Sequence, residues 1–201
     1  MTKIFFFDLD GTLRETKSGA TFINDPADQK PIDGASEAVV YYASQAFICI
    51  GITNQGGCAA IDPDTGNPRK SLESAIAEQR ITLELFPDLS EIFFCHTWGE
   101  SCYQVSRGNV PLEFGAPISG DGLKVSCRKP GHGMLLIASQ ALADLKDCWM
   151  TGDRPEDEQA AKNAGVNFIP AEVMLSKFSG TEMKEIGVEC DRETLLKFLA
   201  I

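Results

Sequence analysis

Five short apolar runs, separated by segments with helical patterning, limit what this chain can fold into. The runs are 4–7, 47–52, 92–95, 149–151 and 166–169, each rich in β-branched or aromatic residues and too short for an ordinary helix. Between them lie 35–46, 71–85, 133–145 and 155–164, which carry helical patterning. Pro155 suits a first helical turn and Gly165 a helix stop. Strand-helix alternation of this kind predicts an α/β fold, a three-layer Rossmann-like parallel sheet with helices on both faces and right-handed crossovers. With 201 residues, the expectation is a single domain over 1–201. Three stretches break the rhythm and are expected as loop insertions: 14–33, 56–70 and 96–125. After residue 172 the pattern weakens, apart from an expected closing helix at 192–199.

Charge and cysteine content narrow the possible roles. A formal net charge of -11 opposes binding to nucleic acid unless a local basic patch reverses the field. No run is long and apolar enough to cross a bilayer. The opening Lys3-Ile4-Phe5-Phe6-Phe7 is interrupted by Asp8 and Asp10 too early for a secretory leader. The seven cysteines, Cys49, Cys58, Cys95, Cys102, Cys127, Cys148 and Cys190, are odd in number, and Cys49 and Cys148 lie within apolar runs. This predicts reduced, packed thiols in a cytoplasmic protein.

Four stretches carry chemistry. Asp8-Leu9-Asp10-Gly11-Thr12-Leu13 places two carboxylates at the end of the first strand, facing the crevice where open α/β sheets hold ligands. One can attack phosphorus. The other can hold a proton, because two neighbouring carboxylates resist joint ionisation. Ile52-Thr53-Asn54-Gln55-Gly56 ends the second strand with a hydroxyl and successive amides suited to phosphoryl oxygens, although on its own it also reads as an ordinary turn. In Cys127-Arg128-Lys129-Pro130-Gly131 a lysine can neutralise an attacking carboxylate and Arg128 can fork onto phosphate; the plainer reading is a solvated basic pair. Thr151-Gly152-Asp153-Arg154-Pro155-Glu156-Asp157 adds a strand-end acid fit for a hard cation. The alternative there is an acidic start to the next helix, which for Asp157 could be the whole role.

Taken together and in this order, the four stretches resemble the haloacid dehalogenase superfamily of phosphatases, over 8–157. The resemblance implies that Asp8 is a nucleophile forming an aspartyl-phosphate and that Asp10 is the general acid/base. It implies that Thr53 and Asn54 bind the phosphoryl group and that Lys129 steadies both Asp8 and the phosphate, beside which Arg128 is a further candidate phosphate ligand from its own chemistry. It further implies Mg²⁺ held by Asp8, Asp153 and the backbone carbonyl of Asp10, with Asp157 behind them. The acid at Asp10 points to phosphatases rather than dehalogenases.

The short loop after Asp10 and the sequence Cys127-Arg128-Lys129-Pro130-Gly131 resemble the minimal-cap subfamily, which lacks a large cap domain. That group includes heptose bisphosphate phosphatases, histidinol phosphatases and the 3′-phosphatase domains of polynucleotide kinases. The first of these carry a loop zinc, and likeness to them offers Cys95, His96, Cys102 and Cys127 as a structural Zn²⁺ site; the adjacency of Cys95 and His96, and Val125 where a further cysteine would fall, depart from that spacing, and packed thiols with a loop histidine are the plainer expectation. Thr16-Lys17-Ser18-Gly19 followed by Phe22 resembles the polynucleotide 3′-phosphatases. The expected substrate is a small phosphorylated metabolite such as a sugar phosphate or bisphosphate, on a monomer or small homo-oligomer. The alternatives are a 3′-end-processing enzyme and a binding module on a retired phosphatase scaffold.

Overall fold

The computed structural model describes residues 2–139, 144–179 and 191–201. Its centre is a seven-stranded sheet in the order β7-β6-β5-β4-β1-β8-β9. The strands are β1 Lys3–Phe7, β4 Phe47–Asn54, β5 Leu89–Cys95, β6 Ser101–Ser106, β7 Leu112–Gly115, β8 Trp149–Gly152 and β9 Asn167–Pro170. A separate two-residue ladder pairs β2 Arg14–Glu15 with β3 Lys30–Pro31. The five strands expected from the apolar runs are all present and pair in parallel.

Alternation along β1 splits the core. Phe5 and Phe7 belong to one buried cluster, Ile4 and Phe6 to another on the opposite face. Helices α1 Ala35–Ser44, α2 Leu72–Leu85, α5 Ala171–Ser179 and α6 Arg192–Leu199 supply residues to the first cluster; α3 Gly133–Ser139 and α4 Pro155–Ala164 supply the second. Every residue of β1 after Lys3 is buried, as a central strand covered on both faces requires. Local signals set the helix ends. Ser71 caps α2 by accepting from the Ser74 amide at 3.1 Å. Pro155 begins α4, and Gly165 ends it at φ 73°.

The structure departs from the sequence expectations in four places. The stretch 96–125 is not a plain loop: β6 and β7 extend the sheet there as an antiparallel edge, so the sheet is mostly rather than wholly parallel. Helix 171–179 was not expected, although Pro170 immediately precedes it. The helix expected over 133–145 covers Gly133–Ser139; residues 140–143 lie outside the described set, and Leu145–Asp147 is a separate 3-10 turn capped by Asp144. Cys190 also lies outside the described residues. Finally, Arg14, expected in a polar loop, is fully buried.

Candidate active site

The three central strands β4, β1 and β8 end side by side, and each delivers polar residues at its carboxyl end. Asp8 follows β1, where its amide donates to the Thr151 carbonyl at 2.9 Å and extends the ladder by one step. Asp153 follows β8, and Thr53 and Asn54 close β4. This edge is the crevice in which open α/β sheets hold ligands.

The turn after Asp8 is tight. The Leu9 carbonyl accepts from the amides of Thr12, Leu13 and Arg14 at 2.9–3.2 Å. Gly11 adopts φ 91°, and a Cβ there would fall 2.5 Å from Asp153 Oδ2. Glycine is therefore required twice at this position, for its backbone angle and for the close approach of the second acid. Gly152 meets the same demand from Asp157, whose Cγ would lie 2.4 Å from an added Cβ.

Asp8, Asp153 and Asp157 each bring a carboxylate oxygen to within 4.8 Å of the others, the one such convergence of three or more potential ligand residues among the described residues. Lys129 is the cation among them. Its Nζ lies 2.5 Å from Asp8 Oδ1 and 2.6 Å from Asp157 Oδ1, and it donates to the Ile52 carbonyl at 3.1 Å. Burial alone would lower the lysine, but Asp8 and Asp157 outweigh it and hold the ammonium above its ordinary value. Burial pushes the Asp8 carboxyl up to about 7 against the pull of Lys129. Asp153 is raised by burial and by the neighbouring Asp157. Two buried acids, Asp8 and Asp157, thus share one ammonium, and the more exposed Asp153 adds a third carboxylate beside them. A hard divalent cation, which favours a few carboxylates with water and phosphate completing its shell, fits this donor set.

Asp157 starts the next helix, as one reading of it expected, and has a second partner that was not expected. It accepts from the Arg154 amide at 3.1 Å as part of the start of α4, and it pairs with Lys129 across the site. Thr12 donates to Asp8 Oδ2 at 3.2 Å, and Thr53 donates to Asp10 Oδ2 at 3.3 Å. The Asn54 side chain donates to the Lys129 carbonyl at 3.1 Å and accepts from the Lys129 amide at 3.0 Å, tying the 127–131 loop to the end of β4. Arg128 lies over the Trp98 ring at 5.2 Å and beside Gly56, with Nη1 lacking a hydrogen-bond partner.

Four residues near Asp10 were not anticipated. Arg14 forks onto the Asp10 carboxylate, Nε to Oδ1 at 2.9 Å and Nη2 to Oδ2 at 3.3 Å. Behind it stand Glu78, Lys70 and Gln55. Burial would raise the Asp10 carboxyl, but Arg14 outweighs it and holds Asp10 below the usual carboxylate range.

The four residues considered for zinc do not converge. Cys95, Cys102 and Cys127 lie in the core cluster on one face of the sheet. His96 packs edge-on against Phe94 and Tyr103 and approaches Glu113 at 3.6 Å on the other face. Successive residues of an extended chain point to opposite sides, so Cys95 and His96 cannot both turn inward.

Comparison with known proteins places this geometry. A family model described as polynucleotide kinase 3 phosphatase matches residues 3–154. The histidine biosynthesis bifunctional protein HisB of Legionella pneumophila (strain Lens) is 30% identical over 177 residues, covering 85% of this chain and 41% of that protein. The chain thus spans about two fifths of the length of those HisB relatives. The D-glycero-beta-D-manno-heptose-1,7-bisphosphate 7-phosphatase of Pasteurella multocida is 27% identical, covering 83% of this chain and 79% of that one. In structure, the D,D-heptose 1,7-bisphosphate phosphatase of B. bronchiseptica, solved with magnesium and phosphate, aligns over 99% of both chains with a TM-score of 0.56 and 18% identity, a likeness of fold.

Proposed function

Since this chain belongs to the polynucleotide kinase 3 phosphatase family, within the haloacid dehalogenase superfamily, we propose that it hydrolyses phosphomonoesters with Asp8 as nucleophile and magnesium as cofactor. The observation that carries the reading is the buried Lys129, whose ammonium joins Asp8 to Asp157 at 2.5 and 2.6 Å, with Asp153 completing the acidic corner.

In this reading Asp8 attacks phosphorus while the bond to the leaving oxygen breaks, and an aspartyl-phosphate forms at its carboxylate. Asp10, ionised beside Arg14 in the free site, takes the proton of the bound phosphate monoanion and passes it to the leaving oxygen. It then takes a proton from the water that cleaves the intermediate and frees Asp8. Proton transfer of this kind is worth ~10²–10⁴-fold in rate. Lys129 keeps Asp8 aligned and offsets charge on the phosphoryl oxygens; Thr53 and Arg128 supply further donors. Asp8, Asp153 and the Asp10 carbonyl would hold Mg²⁺, with Asp157 acting through Lys129. When bound, the cation neutralises charge developing on the transferred group.

For the substrate we favour a small phosphorylated metabolite of the sugar phosphate or bisphosphate class. The heptose bisphosphate relatives, which this chain covers over most of their length, support it, as does the net charge of -11, which opposes a polyanionic partner. The family model's description favours a second reading, a 3′-phosphorylated nucleic-acid end. The test is phosphate release from p-nitrophenyl phosphate and a panel of sugar phosphates and 3′-phosphorylated oligonucleotides. We expect magnesium-dependent turnover, lost in Asp8→Asn and fastest on a sugar phosphate. Equal release by wild type and Asp8→Asn overturns the role of Asp8, and preferential turnover of the oligonucleotide overturns the substrate class.

A further inference from the structure

Arg14 is fully buried, which for an arginine is costly unless every donor finds a partner. Here they do. Nε and Nη2 fork onto Asp10. Nη2 also meets Glu78 Oε1 at 2.5 Å. Nη1 donates to Gln29 Oε1 and Gln79 Oε1, each at 3.3 Å, and to Thr82 Oγ1. Glu78 continues to Lys70 Nζ at 2.5 Å, so charges alternate from Asp10 through Arg14 and Glu78 to Lys70 and sum to zero. Gln55 ties the chain together: Nε2 donates to Glu78 Oε1 at 3.0 Å and reaches Asp10 Oδ2 at 3.4 Å, and Oε1 accepts from Lys70 at 3.0 Å.

Exposure shows which way this network faces. The Arg14 and Glu78 side chains are 0% and 1% exposed and Lys70 is 12% exposed, whereas Asp10 is 40% exposed. An ion pair serving only to pin the loop to α2 would be complete with Arg14 and Glu78. Spending two parallel N–H donors on a carboxylate that opens to the crevice fixes the plane and direction of that carboxylate.

Resting on the phosphatase reading above, we infer that Arg14, backed by Glu78 and Lys70, is a positioning residue that aims the Asp10 carboxyl at the departing oxygen of the substrate. It touches no substrate itself. Its effect is felt where proton delivery matters most, in the expulsion of a poor leaving group.

The test compares kcat/KM for an alkyl ester, glycerol phosphate, with that for an activated aryl ester, p-nitrophenyl phosphate. This parameter covers the steps through leaving-group departure. Arg14→Lys keeps the buried charge and loses the fork. A double variant, Arg14→Gln with Glu78→Gln, removes one charge of each sign. In both we expect the alkyl ester to lose ~10²-fold while the aryl ester loses less than ~10-fold, because a good leaving group needs little protonation. Equal losses on the two esters would mark Arg14 as structural only and overturn the inference. If the double variant fails to fold, Glu78→Gln alone leaves the fork but loosens its support, and the same ratio decides. Wild type separates the two claims: no magnesium-dependent release of phosphate from either ester overturns the phosphatase reading, whereas wild-type turnover beside equal losses in the Arg14 variants overturns only the positioning role.

Discussion

Asp153→Asn should abolish phosphatase activity and yet make the protein more stable in the presence of a chelator. The argument is electrostatic. Oxygens of Asp8, Asp153 and Asp157 lie within 4.8 Å of one another. At that separation, two unit charges repel by about 3.5 kcal/mol in an effective dielectric of ~20. Lys129 offsets part of this, and the Asp153 side chain keeps 32% of its exposure, so solvent screens more. A net relief of about 1–2 kcal/mol remains when the charge is removed, the scale of gain typical of relieving strain at a functional site. For a chain of this size that raises Tm by about 2–8 °C. The assay is thermal unfolding in EDTA and in saturating magnesium chloride at neutral pH. Wild type should gain about 2.7 kcal/mol when magnesium stands at roughly 100 times Kd, and Asp153→Asn should gain much less. A lower Tm for the variant in EDTA, or equal magnesium shifts in both proteins, would refute the account of the acidic corner.

Lys129→Met should lose turnover and also about 3 kcal/mol or more of stability, since it strands two buried carboxylates; chemical denaturation reads this directly. Gly11→Ala puts a Cβ at φ 91° against Asp153 and should cost about 1–3 kcal/mol while weakening magnesium binding, as measured by calorimetry. Protein purified without added zinc should contain far less than one zinc per chain by elemental analysis, because His96 and the three core thiols lie on opposite faces of the sheet. Stoichiometric zinc held against mild chelation would contradict that geometry.

The parts of the site that were legible in the sequence sit at strand ends. Asp8, Thr53 and Asp153 each follow a short apolar run, and a parallel sheet delivers such residues to one edge wherever its helices run. Lys129 was legible from its motif. Arg14 was not, because a charged residue beside an acidic turn reads as solvated. Only the tertiary meeting with Glu78 of α2 makes its burial tolerable, and no local pattern encodes that. Asp157 was legible as a helix-start acid, but its pair with Lys129 spans distant parts of the chain. Strands β6 and β7 escaped because an antiparallel edge needs few buried positions: in β6 only Cys102 and Val105 are buried, and in β7 none is. The zinc hypothesis weighed residue type and spacing; strand alternation at Cys95 and His96, already present in the sequence, was the signal against it.

The claim on which the rest depends is a covalent phosphoryl group on one side chain. Quenching the wild-type enzyme during turnover of p-nitrophenyl phosphate with sodium borohydride reduces any acyl phosphate to an alcohol, and peptide mass spectrometry locates it. The account predicts homoserine at position 8 only when substrate and magnesium are both present. Unmodified Asp8 in an actively turning-over sample, or reduction at another carboxylate, would contradict it.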